Sequence, residues 1–130
     1  REMSIEYSAY ESGLDRFVRL DKENDFIGKK ALKDWQDRGA TNGFVTLEVL
    51  GIVDADARGS EAIYNNGEVV GRATSGGFGW RCGKSLALGL VKKDLTTIGT
   101  ELEIEILGKK YKSVVIDESP FDPTNESLRS

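Results

Sequence analysis

The sequence predicts a mostly-β protein that closes into a small barrel and carries one α-helix near its N-terminal third. Three observations support this: segments in which apolar and polar residues alternate, turn signals about every ten residues, and fifteen glycines against two prolines. The alternation indicates about six or seven short strands. We expect closure because it removes the exposed strand edges that a chain so rich in strands must otherwise protect.

The clearest strand is Glu101–Ile106, where leucine and isoleucine alternate with glutamate. Gly108-Lys109 then suits a type II′ hairpin turn, because glycine accepts a positive φ at the first central position. The expected return strand is 111–116, which is rich in valine and isoleucine. Asn66-Gly67 predicts a second hairpin between two short apolar segments.

Alternation marks two further strands, around 45–49 and 86–90. In the second of these, Ala87 and Gly89 alternate with leucines. Small residues on one face of a strand indicate either a close approach of a neighbouring backbone or a tight bend.

One helix is expected over 27–38, where apolar residues recur at every fourth position up to Trp35. Asp25 is placed to cap its start. Gly39 is placed to end it in a left-handed conformation.

Composition limits the classes of function. The chain has 130 residues, which suits a single domain spanning 1–130, and its net charge is −4. This acidic balance predicts neither a nucleic-acid partner nor an anionic membrane partner. The absence of histidine excludes a Ser-His-Asp triad and any His-ligated metal. The one cysteine excludes an internal disulfide and fits a reducing compartment, for which we take the cytoplasm.

The remaining motifs favour structural roles. The glycine-rich segment 74–79 and the nearby 83–85 lack the spacing and the following helix of a phosphate-binding loop, so we expect a turn between two strands. Cys82 has basic neighbours but neither a histidine nor a second cysteine to assist it, which favours an incidental thiol. The acidic loop 54–61 lacks the ligand pattern of a calcium loop and is expected to be solvated. We therefore predict no metal site and no catalytic residue.

Arg16 is the first candidate site residue. Strand alternation over 13–20 places it on the same face as Leu14, Val18 and Leu20. An arginine on an apolar face needs a partner, because burying the charge unpaired is costly. The partner is either a carboxylate within the domain, or a carboxylate-bearing ligand or a neighbouring domain.

Several short motifs stand in order along nearly the whole chain: Glu-Ser-Gly-Leu-Asp-Arg-Phe-Val at 11–18, Asp-Phe-Ile-Gly-Lys-Lys-Ala-Leu at 25–32, Gly-Glu-Val-Val-Gly at 67–71, Thr-Ser-Gly at 74–76, Lys-Ser-Leu-Ala-Leu-Gly at 84–89 and Phe-Asp-Pro at 121–123. In this order they resemble the C-terminal region of dimethylglycine and sarcosine dehydrogenases. They are similar, more loosely, to the glycine cleavage system T-protein, an aminomethyltransferase. The Asp-Phe-Ile-Gly and Lys-Ser-Leu-Ala versions fit the dehydrogenase branch better.

The resemblance implies a six-stranded Greek-key barrel that packs on an upstream folate-binding domain and helps to wall the pocket for one-carbon transfer to tetrahydrofolate. It places the catalytic aspartate in that upstream domain and FAD, in the dehydrogenases, in a domain further upstream. The chain, which starts at Arg1, is then expected to be a fragment of a longer one. Arg16 and Arg129 are the residues expected to reach toward the folate or its glutamate tail. Glu126 and Ser127 stand where T-proteins carry tyrosines.

Two other classes of function stay open. An independent interaction module would use the barrel face together with Trp35 and Trp80 to hold a protein partner. A nucleic-acid-binding barrel is the third class, which the acidic balance and the scattered aromatic residues disfavour.

Overall fold

The computed structural model describes residues 3–130, and in this part of the chain six antiparallel strands form a closed barrel. Arg1, where we expect a longer chain to have been cut, lies outside the described residues. The strands are β1 (Asn42–Val49), β2 (Ala62–Asn65), β3 (Glu68–Gly79), β4 (Lys84–Lys92), β5 (Glu101–Ile106) and β6 (Lys109–Ile116). The helices are α1 (Lys29–Arg38) and the four-residue α2 (Glu126–Arg129). Neither helix of the described chain has the length and apolar composition needed to cross a membrane.

The strands follow a Greek-key order. Around the barrel they run β1-β4-β3-β2-β5-β6, and β6 pairs with β1 to close the ring. Three consecutive strands, β2, β3 and β4, are antiparallel neighbours, and β1 lies beside β4, which is the Greek-key arrangement. The predicted six-stranded Greek-key barrel with a helix in the N-terminal third is confirmed.

The barrel interior is filled by alternate side chains of the strands, as the period of two requires. Burial of these apolar groups is the main favourable contribution to folding. The buried apolar residues are Val45, Leu47, Val49, Ile52, Ala57, Ile63, Val70, Ala73, Ala87, Leu90, Val91, Leu102, Ile104, Ile106 and Val115.

The small residues of β4 lie inside the barrel, whereas Leu86 and Leu88 are only half-buried. A Cβ atom added at Gly89 would lie 2.8 Å from Ile63 Cδ1 and 2.9 Å from the carbonyl oxygen of Arg72. The close backbone approach predicted at this face is therefore confirmed.

Two hairpins have the same tight turn. Asn66 and Gly67 have φ values of 50° and 84°, so both central residues are left-handed and the turn is type I′. In the β5–β6 hairpin, Leu107 and Gly108 have φ values of 50° and 77°, which is again type I′. The predicted type II′ turn at Gly108-Lys109 is wrong, because Lys109 already pairs with Ile106 as the first residue of β6.

Helix α1 begins two residues later than predicted. Gly28 precedes it with a φ of 91°, and no side chain of the described residues caps its start. The Asp25 carboxylate instead accepts the N–H of Phe26 at 2.9 Å, so its predicted capping role is wrong. Gly39 does end the helix, and its N–H donates to the carbonyl of Trp35. Its φ of 77° is positive, but its ψ of 155° is extended and not left-handed helical.

The glycine-rich segment 74–79 is the second half of the long strand β3, so the turn predicted there is wrong. The chain turns after it, where the N–H groups of Cys82 and Gly83 donate to the carbonyl of Gly79. A Cβ atom at Gly76 would lie 2.8 Å from the carbonyl oxygen of Ala57, so the missing side chain lets a loop cross the strand closely.

The first central residue is leucine in one type I′ turn and asparagine in the other, so exchanging these two residue types should change the stability in opposite directions. Leu107→Asn should raise the free energy of unfolding by about 1 kcal/mol, because asparagine adopts a positive φ at lower cost than leucine. The matched control, Asn66→Leu, should lower it by a similar amount. Urea denaturation measures both changes. A loss of stability in Leu107→Asn would contradict the turn geometry.

Candidate functional site

A buried carboxylate, Glu11, fastens the N-terminal segment, defined here as residues 3–28, to the start of β1. It accepts hydrogen bonds from the backbone N–H and the hydroxyl of Ser8, both at 3.1 Å. It also accepts them from the Thr41 hydroxyl at 3.0 Å and the Asn42 side-chain amide at 3.2 Å. Glu11 is 2% exposed, so these four donors satisfy a charge that water barely reaches.

The pKa of Glu11 reflects two opposing effects. Burial alone would raise the pKa, because it disfavours the charged form. Hydrogen bonds to the carboxylate favour the charged form and outweigh burial, and the N–H of Ser8 contributes most among them. The net result is a pKa below the ordinary value of 4.5.

Arg16 lies in a 3-10 turn (Asp15–Phe17) and not in a strand. The N–H of Phe17 donates to the carbonyl of Leu14, and that of Val18 to Asp15, which gives the turn its local hydrogen bonds. The side chain of Arg16 is 59% exposed. The predicted strand with Arg16 on a buried apolar face is therefore wrong.

The Arg16 guanidinium forms an ion pair with Glu118, in the segment that follows β6. Its Nη1 lies 3.3 Å from Oε2 and 3.4 Å from Oε1 of that carboxylate. The backbone of Glu118 is held in turn, because its carbonyl accepts the Thr46 hydroxyl of β1 at 3.1 Å. Of the two partners predicted for Arg16, the structure contains the carboxylate within the domain. An exposed ion pair of this kind contributes little to stability, so the guanidinium can leave Glu118 for another carboxylate at little cost.

Arg129 is exposed and lies in α2. The Asp122 carboxylate fixes the start of this helix by accepting the N–H groups of Glu126 at 2.7 Å and Ser127 at 3.1 Å. Desolvation opposes ionisation of Asp122, but these hydrogen bonds outweigh it and lower its pKa. Arg16 pairs with Glu118, whereas within residues 3–130 Arg129 forms no ion pair with that carboxylate, so no shared partner links the two predicted site residues.

The N-terminal segment carries large apolar side chains that the barrel leaves uncovered. Ile27, which the four-residue spacing of apolar residues assigned to the helix, precedes α1 and is fully exposed, and α1 itself buries none of its residues. A concentration of exposed apolar side chains in one segment is typical of a surface that contacts another one. The exposed large apolar residues of the segment are Met3, Ile5, Phe17, Phe26 and Ile27.

The two tryptophans lie in different surroundings. Trp35 is half-buried, and the guanidinium of Arg38 lies 3.6 Å from its ring centroid. Trp80 is 86% exposed and meets Phe78 edge to face, with ring centroids 4.9 Å apart.

The acidic loop and the cysteine have local partners. Asp54 and Asp56 are exposed, as predicted, whereas the Glu61 carboxylate accepts the N–H groups of Arg58 at 2.9 Å and Gly59 at 2.6 Å and so closes the loop. The Cys82 thiol donates to the carbonyl of Gly79 at 3.3 Å. In the described part of the chain, no three His, Cys, Asp or Glu side chains gather in an arrangement suited to a metal ion.

Sequence reasoning missed Glu11, although a signal for it was present. Ser8 and Glu11 are three residues apart, which is the spacing of a capping box. The Ser8 hydroxyl accepts the N–H of Glu11 while the carboxylate accepts the N–H of Ser8, as that motif requires.

These features define a small Greek-key barrel domain with an uncovered apolar segment at its N-terminal side. Residues 43–122 match the family model of the glycine cleavage T-protein C-terminal barrel domain, and the chain belongs to this family. The resemblance predicted from the short motifs is thereby confirmed.

Individual relatives agree with this assignment. The chain is 43% identical over 130 residues to human mitochondrial dimethylglycine dehydrogenase, covering 98% of the chain and 15% of that relative. It is 37% identical over 116 residues to an aminomethyltransferase of Synechocystis, covering 89% of the chain and 31% of the relative. The crystal structure of glycine cleavage system aminomethyltransferase T from Bartonella henselae superposes with a TM-score of 0.77 at 26% identity, over 87% of the chain and 32% of that structure.

The role of Glu11 predicts a specific pH dependence. Glu11→Gln should lower the free energy of unfolding by about 1–3 kcal/mol near neutral pH, because the buried donors lose a charged acceptor. Since the folded pKa lies below the unfolded value of 4.5, the carboxylate contributes fully above that pH and loses its contribution as the pH falls through the folded pKa. The gap between the two proteins should therefore shrink in acid.

Denaturant unfolding at several pH values measures this gap. The matched control is Glu23→Gln, at an exposed glutamate of the same segment, which should change stability little at any pH. A gap between Glu11→Gln and the parent chain that stays constant into acid would contradict the assigned role.

Proposed function

We propose that the chain is the closing barrel of a tetrahydrofolate-dependent enzyme, of the aminomethyltransferase or dimethylglycine/sarcosine dehydrogenase kind. The barrel packs on a folate-binding domain that precedes it and forms one wall of the pocket in which a one-carbon group is transferred. The observation that carries this proposal is the family match over residues 43–122. The chain also spans only 15% of the human dehydrogenase and 31% of the Synechocystis enzyme, which supports further domains in the intact protein.

We assign 1–130 to one domain that supplies no catalytic residue, no metal ligand and no FAD contact. In this proposal the catalytic aspartate lies in the folate-binding domain, and FAD, in an enzyme of the dehydrogenase kind, lies further upstream. The domain has no nucleic-acid or membrane partner, in keeping with its net charge of −4. We propose the cytoplasm as its compartment from its single cysteine, although the human relative is named as mitochondrial.

The exposed apolar side chains of the N-terminal segment supply the contact with the preceding domain. Ile5 and Ile27 are fully exposed and Phe17 is 68% exposed, so the barrel alone gains nothing from them. Covering such side chains with another surface removes apolar area from water, which is favourable. The capping box at Glu11 holds the segment that carries these side chains against the start of β1.

Replacement of Ile27 by aspartate tests this contact. Ile27→Asp should leave the unfolding of the 130-residue chain unchanged, because the side chain has no cover there. In the longer protein the same change should lower the stability by about 2 kcal/mol or more, since it buries a charge against an apolar surface. Thermal unfolding of both proteins measures the difference, and equal small effects in both would contradict the contact.

Arg16 is the residue that we propose reaches the folate. Its guanidinium is exposed, and it is held in position by Glu118 through one nitrogen. Arginine binds carboxylates with paired hydrogen bonds, so the glutamate tail of the folate is a suitable partner. Arg129 is proposed as a second, more peripheral contact because it is exposed near the end of the chain.

Three variants of the longer protein separate this role from a structural one. Arg16→Ala should weaken tetrahydrofolate binding about tenfold or more, whereas the matched control Arg19→Ala removes the same charge three positions away and should have little effect. Glu118→Gln frees the Arg16 guanidinium and should leave the affinity equal or higher. Arg129→Ala should produce a smaller loss than Arg16→Ala.

Calorimetric titration with tetrahydrofolate measures these affinities. If Arg16→Ala and Glu118→Gln weaken binding equally, the ion pair matters only for the fold and the proposed contact is wrong. Unchanged binding in Arg16→Ala would contradict the proposal as well.

A protein-interaction module is the alternative function, and one observation favours it. The edge-to-face pair of Phe78 and Trp80 is exposed on the barrel, and aromatic side chains of this kind are enriched in protein interfaces. Trp80→Ala distinguishes the two proposals. Folate binding by the longer protein should be unchanged in both cases, whereas binding of a protein partner should be lost only if the domain is an interaction module.

A further inference from the structure

An open cavity of about 430 Å³ lies at one end of the barrel, where β1 and β3 finish and β4 begins. The loop that follows β1, residues 50–57, crosses this end and meets β3 at Gly76, where an added Cβ atom would lie 2.9 Å from the Ala57 Cβ. Ile52 and Ala57 of this loop belong to the buried core. The cavity lies between the loop and the end of β3 with Trp80.

Two aromatic rings form a corner in this cavity. The ring planes of Phe78 and Trp80 make an angle of 76°, with centroids 4.9 Å apart, and both residues line the cavity. Trp80 is 86% exposed and Phe78 is 44% exposed. The face of an aromatic ring carries partial negative charge and attracts a cation placed over it. Because the planes are nearly perpendicular, a compact cation can contact both rings, whereas a flat cation can stack on only one.

The loop side of the cavity carries two carboxylates and apolar surface. Asp54 and Asp56 line the cavity, and in the described chain no ammonium or guanidinium lies within 4.0 Å of either carboxylate. Exposed carboxylates are common on this protein, but these two share a cavity with an aromatic corner. Val53, which is 96% exposed, lines the same cavity. The rings and the carboxylates favour a positive charge, and the apolar surface favours one that carries alkyl groups.

The two rings of the corner have no cation of their own. In six other places of the described chain an arginine or lysine lies over an aromatic ring. Among them is Arg81, which follows Trp80 directly but lies over Phe121, 5.0 Å from its ring centroid. None of the six involves Phe78 or Trp80. The position over these two rings is therefore open to a cation from outside the chain.

We propose that this cavity binds the head group of an alkylated ammonium cation. The charge lies between the aromatic corner and the two loop carboxylates, and the alkyl groups contact the ring faces and Val53. An anion, or the carboxylate end of a zwitterion, would be repelled by Asp54 and Asp56. A neutral molecule of the same shape would gain nothing from the charge of the carboxylates or of the ring faces. An ammonium group without alkyl substituents is more strongly hydrated and loses more on leaving water.

An NMR titration of the 130-residue chain with three probes of similar shape tests the proposal. The probes are tetramethylammonium, neutral tert-butanol and the anion pivalate, at an ionic strength held constant with sodium chloride. Tetramethylammonium should shift the indole N–H signal of Trp80 and the backbone signals of 53–56 in a saturable manner. Its Kd should be roughly 10 mM, because cation–π contacts at exposed sites are weak, and the other two probes should bind about tenfold more weakly or less.

A tryptophan variant with a matched control tests the aromatic corner. Trp80→Leu keeps an apolar side chain but removes the ring, and it should weaken tetramethylammonium binding about fivefold. Trp35→Leu makes the same exchange in α1, where the Arg38 guanidinium already lies over the ring, and it should leave the binding unchanged. The thermal unfolding of Trp80→Leu should stay close to that of the parent chain, because the side chain is exposed. Weaker binding in this variant then does not result from unfolding.

A charge variant with a matched control tests the two carboxylates. Asp54→Asn combined with Asp56→Asn should weaken tetramethylammonium binding about fivefold. Glu101→Gln combined with Glu103→Gln removes the same net charge from β5, outside the cavity, and should leave the binding unchanged. A peptide with a trimethylated lysine carries the same head group. Tighter binding of this peptide than of tetramethylammonium indicates a side chain as the source, and equal binding indicates a free cation.

The proposal is overturned by any of three results. They are no saturable shift up to about 200 mM tetramethylammonium, far above the expected Kd; equal binding of tert-butanol; or full tetramethylammonium affinity in the tryptophan variant or in the doubly substituted aspartate variant. None of these measurements involves folate, so a failure here leaves the proposed function untouched and a failure of that function leaves this site untouched.

Discussion

The pairing of β1 with both β4 and β6 is the constraint on which the rest of the structure depends. It closes the barrel, so every strand has two neighbours and the interior apolar side chains are shielded from water. The outer face of β1 is covered as well. Thr46 points away from the core, is 3% exposed, and donates its hydroxyl to the segment after β6, while Glu11 binds the start of the strand. Both terminal segments are thus fixed to one strand.

In this arrangement the barrel provides the stable core of the domain, and the N-terminal segment provides an exposed apolar surface. The barrel, which contains most of the family match, encloses a core of its own. The N-terminal segment is joined to the barrel by a satisfied buried carboxylate, yet presents large apolar side chains outward. A stable barrel and an uncovered segment of this kind are what a domain needs when it must fold beside a neighbour and still offer that neighbour a surface. The proposed position beside a folate-binding domain agrees with this division.

Much of the fold could be predicted because it depends on local pattern. Strict alternation identifies β5, and Asn66-Gly67 identifies the hairpin of β2 and β3, since both signals act within a few residues. The failures have a common cause in tertiary structure. The alternation around Arg16 satisfies the strand pattern, but within residues 3–130 no strand pairs with it and the chain forms a 3-10 turn. Leu107 adopts a positive φ that its side chain disfavours, because the pairing of β5 with β6 fixes the turn. The short pairing of β2 with β5 depends on the arrangement of the whole sheet, which no single motif encodes.

The shortness of β2 has a mechanical consequence for the barrel. Its seam with β5 contains two residue pairs, whereas the seam of β1 with β4 contains eight. When a closed sheet is loosened by heat, its hydrogen bonds rupture first where the fewest of them act together. The closed sheet of six strands therefore has its weakest seam between β2 and β5. We therefore expect local opening of the barrel to begin at this four-residue strand.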